Sequence, residues 1–225
     1  MKFSLPLIMC LTLAACGTNK VVYQSPDFKE KAAHHQTIAI LPFHVVQTGH
    51  VGKNEDPEAI REANEKWGYA FQESLQSSAL KYTSRNRKGQ PVSFQAVQKT
   101  NAFLKEGGLS IDDLYSKKPE DIARLLGVDA VLMTTVERDK NFSDGVAYAA
   151  AAGRAIINVI SKNGSGNALG VNASDINMNS YIYDAADSKL LWKTYRQGGT
   201  DLPSNVDGLV EYYSNWIAKK LPYKS

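Results

Sequence analysis

The sequence predicts an α/β (α+β) domain, a mixed sheet of about five strands flanked by helices. Three observations carry that expectation. Residues 37–43 form a short apolar run rich in β-branched side chains, the mark of a buried strand. Residues 174–184 alternate strictly, with Ile176, Met178 and Ile182 on one face and Asn177, Asn179, Tyr181 and Tyr183 on the other, the period of a half-buried strand. Between and after them, apolar residues recur at helical spacing.

The elements follow in chain order. The first strand, 37–43, ends at Pro42, and a loop runs through Gly49 and Gly52. Asp56-Pro57-Glu58 opens a helix, because an N-cap, a proline at the first helical position and an acid in the first turn all satisfy a helix start. Ile60, Ala63, Trp67, Phe71 and Leu75 give it one apolar face, to about Leu80. Residues 86–90 turn, 92–94 make a short strand, and 96–105 make a helix that stops at Gly107-Gly108. Ser110 with Asp113 forms a capping box before a brief helix. Lys118-Pro119-Glu120 starts another, with Ile122, Leu125 and Leu126 inward and Gly127 as its C-cap. Residues 129–137 are the next strand. Residues 174–184 and 189–197 pair as a hairpin about Asp187-Ser188. A last amphipathic helix, 207–221, carries Leu209, Val210, Tyr213, Trp216, Ile217 and Leu221 inward.

The formal net charge is only +3, with Lys2 among the contributors. No dense basic run exists to neutralise phosphates, so nucleic acid is not an expected partner.

Residues 1–15 read as a leader. Lys2 is its positive start, and 3–13 is almost wholly apolar. As a helix that stretch is roughly 17 Å long against a hydrocarbon core of about 30 Å, too short to span. It ends in Leu13-Ala14-Ala15-Cys16-Gly17. This arrangement resembles the lipobox of bacterial lipoproteins. The resemblance implies cleavage before Cys16 and acylation of its thiol and amine, with palmitate among the chains. Each buried CH₂ contributes about 0.8 kcal/mol, so two or three chains anchor durably where one does not. In such lipoproteins a residue other than Asp after the lipidated cysteine directs export to the outer membrane, and Gly17 fits. Of the two cysteines, Cys10 lies in the leader, which leaves Cys16 alone and no intramolecular disulfide. Residues 16–36 are polar with no clear period and read as a lipidated tether. The rest, 37–225, reads as a single domain.

A second resemblance rests on Thr37-Ile38-Ala39-Ile40-Leu41-Pro42-Phe43, on the stretch from Ile122 through Gly127 to Leu132, and on Asp187-Ser188-Lys189-Leu190-Leu191-Trp192. These are similar to a superfamily of envelope proteins that includes the amino-terminal domain of TolB, the secretion lipoprotein CsgG and LpoB-type activators of peptidoglycan synthases. The run Phe103-Leu104-Lys105-Glu106-Gly107-Gly108-Leu109 resembles a branch of neisserial-type outer-membrane lipoproteins of unassigned function. These motifs mark a fold, not a chemistry. The chain departs from the pattern in an Ala/Gly-rich insertion at about 143–170. CsgG carries a membrane hairpin at a comparable place, but the alanine run here does not alternate as a membrane strand must.

No catalytic constellation emerges. His34, His35, His44 and His50 lie close in sequence but lack ligand spacing, and solvated tether and loop positions account for them. Asn141, Asn163 and Asn172 begin glycosylation sequons that arise by chance. Gly164-Ser165-Gly166 lacks the remainder of a phosphate loop. Asp112-Asp113 and Glu120-Asp121 sit at helix starts, where the dipole explains them. Tyr181, Tyr183, Trp192 and Tyr195 form an aromatic cluster on the hairpin, read as cross-strand pairs before an interaction surface. The expectation is a non-enzymatic protein with no cofactor and no metal site beyond the lipid on Cys16. It is held at the outer membrane by acyl chains, with its domain facing the periplasm. There it acts through an envelope protein partner or self-association as an adaptor or assembly factor. The alternatives are a subunit of a CsgG-like secretion pore and a metal-dependent envelope enzyme.

Overall fold

The computed structural model describes residues 20–48, 56–83, 92–139, 176–198 and 206–223. In chain order the elements are β1 (Lys20–Gln24), α1 (Phe28–Ala32), β2 (Thr37–Ile40), β3 (His44–Thr48), α2 (Pro57–Thr83), β4 (Ser93–Phe94), α3 (Val97–Glu106), α4 (Ile111–Ser116), α5 (Pro119–Leu126), β5 (Ala130–Asp139), β6 (Ile176–Asp184), β7 (Leu190–Gln197) and α6 (Val206–Lys220). The strands form one mixed sheet, ordered β1-β7-β6-β5-β2-β4, with β3 also paired to β5. The pairs β1–β7, β7–β6 and β6–β5 are antiparallel, while β2 and β3 pair with β5, and β4 with β2, in parallel. The α/β class and the mixed sheet are as expected.

The sheet has seven strands, not about five, and the two additions have distinct origins. β3 continues the first strand beyond Pro42. Ile40 pairs with Leu132 and His44 with Thr135, so three residues oppose two and the chain bulges once before rejoining its partner. β1 falls inside the segment expected to be a tether, which corrects that reading. Lys20–Gln24 adds to β7 as an edge strand, and Phe28 of α1 is buried in the core. A short polar-flanked stretch gives no period to read, and its pairing is decided by the neighbouring strand.

Helix starts follow local chemistry. Asp56 Oδ1 accepts the Glu58 N–H at 3.0 Å ahead of α2. Ser110 and Asp113 complete the capping box of α4. Gly127 ends α5 at φ +64°, where a side chain would be strained. In α5 the buried residues are Ile122, Ala123 and Leu126. Leu125, expected inward, is exposed and leans toward Gly107.

Two apolar layers result. On the first face, Ile40, Leu132, Met178, Ile182 and Trp192 meet Phe71 and Leu75 of α2 and Leu209, Tyr213 and Ile217 of α6. On the second face, Ala39, Leu41, Val131 and Met133 meet Leu104 of α3, Leu114 of α4 and Ile122, Ala123 and Leu126 of α5.

The bulge is held from both faces. The Tyr115 hydroxyl accepts the Thr134 N–H at 2.9 Å and lies 2.7 Å from the Thr134 carbonyl and 3.1 Å from that of Pro42. It replaces ladder bonds that the proline cannot make. Opposite, the Phe43 N–H donates to the Gly68 carbonyl at 3.1 Å. A Cβ at Gly68 would lie 2.3 Å from the Phe43 oxygen, so α2 approaches this closely only because residue 68 has no side chain.

Candidate interaction surface

The strict alternation of β6 sends Ile176, Met178 and Ile182 into the first-face core and Asn177, Asn179, Tyr181 and Tyr183 to the second face. Register places Tyr181 opposite Lys193, and Asn179 opposite Tyr195. The Tyr181 and Tyr183 rings stack at 6.0 Å with planes 24° apart. The Lys193 ammonium lies 5.2 Å from the Tyr181 ring centre, and the Tyr195 hydroxyl donates to Asn177 Oδ1 at 3.2 Å. Tyr183 reaches the α5 side of the second core. Tyr181 and Tyr195 belong to neither core cluster and are half-buried. Partial burial, with Glu137 adding to it at Tyr181 and Tyr181 adding to it at Tyr183, pushes both hydroxyls up. They stay neutral near pH 7 and present both a donor and an acceptor.

Trp192, grouped with these tyrosines in the sequence, is separated from them. A register shift between Ile182 and Tyr183 lets both Leu191 and Trp192 turn inward, and Trp192 is fully buried in the first-face core. The cluster is thus a strip of Tyr181, Tyr183 and Tyr195 with one ammonium and two amides. Cross-strand pairing is realised on it, and its side chains remain half-buried.

The described histidines, His34, His35 and His44, are not gathered. His35 lies at the start of β2, buried, with Nδ1 2.8 Å from the Tyr223 hydroxyl and Nε2 3.5 Å from Asp184 Oδ2. The carboxylate sets the proton on Nε2, so Nδ1 accepts from the tyrosine. Desolvation lowers the His35 pKa against the pull of Asp184, and the ring is held neutral. Lys31 joins the same network, at 3.2 Å from Asp184 and 3.0 Å from Asp187. Asp129 accepts the N–H groups of Gln36 and Thr37, both at 2.8 Å. A cleft of about 600 Å³ opens here, lined by Lys31, His35, Arg124, Asp129 and Asp184. Lys31 and His35 clamp the N-terminal segment to Asp184 and Asp187 around the β6–β7 turn, while Arg124 pairs with Asp121 within α5. His44 stands at the far end, with Nε2 3.0 Å from Asp112 and its ring 4.8 Å from that of Tyr115. His34 is exposed. Among the described residues, no three His, Cys, Asp or Glu side chains come together as metal ligands. Among them, too, no helix is long and apolar enough to cross a membrane. Asp112 and Asp113 do lie in the first turn of α4, and Glu120 and Asp121 in that of α5.

Cys16, His50, the three sequons, Gly164-Ser165-Gly166 and the 143–170 insertion lie outside the described residues. Sequence reasoning missed Tyr115, Gly68 and the clamp around His35. Only Gly68 left a signal, since a glycine inside an amphipathic helix marks close approach by another backbone.

No family model and no curated protein matches the chain. Solved structures similar to it include the lipoprotein GNA1162 from Neisseria meningitidis, at 18% identity, covering 81% of this chain and 98% of that one with a TM-score of 0.38. The C-terminal domain of LpoB from Salmonella enterica is similar at 13% identity, covering 72% and 81% with a TM-score of 0.33. The PelC dodecamer from Paraburkholderia phytofirmans is similar at 10% identity, covering 81% and 88% with a TM-score of 0.33. Similarity this low assigns neither family nor activity, and the fold rests on the element order and strand register given above.

Proposed function

We propose that this chain is a lipid-anchored protein of the bacterial outer membrane that works in the periplasm by protein contact, as an adaptor or assembly factor. The observation that carries the contact reading is the tyrosine strip on β6 and β7. Half-buried tyrosines with neutral hydroxyls, flanked by amides and one ammonium, suit a protein interface, where aromatics supply area and a polar handle together. Anchoring rests on Leu13-Ala14-Ala15-Cys16, with the leader removed and acyl chains on Cys16. The resemblance of 37–43 and 122–132 to the TolB, CsgG and LpoB superfamily supports an envelope setting. Confinement beside a membrane raises the effective concentration of a partner, so a modest contact suffices.

A photo-crosslinking residue in place of Tyr181 tests this in cells. The expected result is a covalent adduct with an envelope protein, reduced when Cys16→Ser removes the anchor. Mass spectrometry of the natural product is expected to show acyl groups at Cys16. Adducts to copies of the chain alone would move the reading to an oligomeric pore. A bare thiol at Cys16 would remove the anchor.

A further inference from the structure

The N-terminal segment is held to the body with little apolar contact. Among the described residues β1 pairs with β7 alone. From Tyr23 to Gln36 the buried residues are Ser25, Phe28 and His35, and of these only Phe28 belongs to the apolar core. The other ties are polar. The Ser25 N–H donates to the Leu191 carbonyl at 2.8 Å, Lys189 pairs with Asp27, and Lys31 and His35 meet Asp184. A segment with so few buried apolar contacts opens at a lower free energy than the core strands.

The polar ties converge on one carboxylate oxygen. Lys31 Nζ at 3.2 Å and His35 Nε2 at 3.5 Å both approach Asp184 Oδ2, while Oδ1 accepts the Ala186 N–H at 2.7 Å. With the Lys31 ammonium already on that oxygen, an imidazolium at His35 would be a second cation sharing it. The added proton would sit on Nδ1, which faces the Tyr223 hydroxyl at 2.8 Å and not a carboxylate. That hydroxyl would have to turn its own proton away. Asp129, the other acid acting on the ring, already accepts the N–H groups of Gln36 and Thr37.

We propose that His35 is the proton-sensitive catch of a strap, residues 20–36, which lies clamped on the body at neutral pH and lifts from it when the ring takes a second proton. The sign follows from burial. Desolvation lowers the His35 pKa against the pull of Asp184 and Asp129, and Lys31 adds to the lowering. Lifting the strap returns the ring to water and to the ordinary histidine range. The lifted form therefore binds the proton more readily, and acid shifts the balance toward it. Its consequence rests on the anchor reading. A lifted strap leaves the chain from Cys16 to Thr37 as the leash, about 25 Å on average if fully flexible, and it bares the β7 edge. The catch itself depends on neither the anchor nor the tyrosine strip.

Hydrogen exchange of the full chain in detergent at pH 7.5 and 5.5, each rate divided by the unstructured-chain rate at that pH, provides the test. Protection of 20–35 is expected to fall about threefold or more on acidification, with the β5 and β6 amides holding theirs. His35→Gln is expected to abolish that fall, and His34→Gln, at the exposed neighbour, to leave it whole. Lys31→Gln separates the catch from a merely structural clamp. It is expected to lower protection at both pH values but to shrink the fall, because the competing cation is gone. A fall shared equally by β5 and β6, a fall that survives His35→Gln, or one that Lys31→Gln leaves at full size would overturn the proposal. The Lys31→Gln arm decides alone if His35→Gln does not fold. A bare thiol at Cys16 beside a retained fall would remove the leash and leave the catch, whereas acylated Cys16 without the fall would do the reverse.

Discussion

The parallel and antiparallel halves of the sheet meet solvent differently on the second face. β2 and β5 present Ala39, Leu41, Val131 and Met133, all buried beneath α3, α4 and α5. β6 and β7 present Asn177, Asn179, Tyr181, Lys193 and Tyr195, all half-buried. The cause is connectivity. A parallel pair needs a long crossover, and its helices cover the sheet. A hairpin needs only a turn, here Ala185 to Ser188, with Ser188 at φ 55°, and brings no cover with it. The half available for contact is therefore the half that closes by the shortest loop.

The comparison breaks most severely at the covered half. Leu114→Ala empties a fully buried site and is expected to cost about 2–5 kcal/mol in urea denaturation. Tyr115→Phe keeps the ring but leaves the Thr134 N–H without its partner. The expected loss is about 1–3 kcal/mol, read the same way. On the open half, Tyr181→Ala removes a stacked, cross-strand neighbour and is expected to cost no more than about 1 kcal/mol while abolishing partner capture. A loss like that of Leu114→Ala would mean that the strip belongs to the core.

The smallest effect is read only against pH, where the N-terminal segment meets the open half. His35 is neutral in the fold because desolvation lowers its pKa. The unfolded chain then binds more protons below the ordinary histidine range. The His35 contribution is present above that range and is lost as pH falls through the folded pKa. His35→Gln is expected to flatten the fall of Tm between neutral and mildly acidic pH.

Much of this division was legible. The Ser110–Asp113 box, the Gly127 cap, the Asp56-Pro57 start and the alternation of β6 are local signals, and each lies where its chemistry says. Three features were not. β3 follows Pro42, which ends a strand by every local rule, and only the bulge with its Tyr115 hydroxyl lets the ladder resume. Trp192 parts from the tyrosines through a register shift that alternation alone does not reveal. The clamp of Lys31 and His35 on Asp184 joins residues far apart in sequence. No periodicity links them.

The place of β1 limits how far the body travels. If Cys16 carries lipid, only Gly17, Thr18 and Asn19 separate it from the first residue of a strand fixed to β7. Four residue steps reach at most about 14 Å fully stretched. Such a short leash keeps the globule grazing the headgroups, so whatever it grips must itself come down to the bilayer.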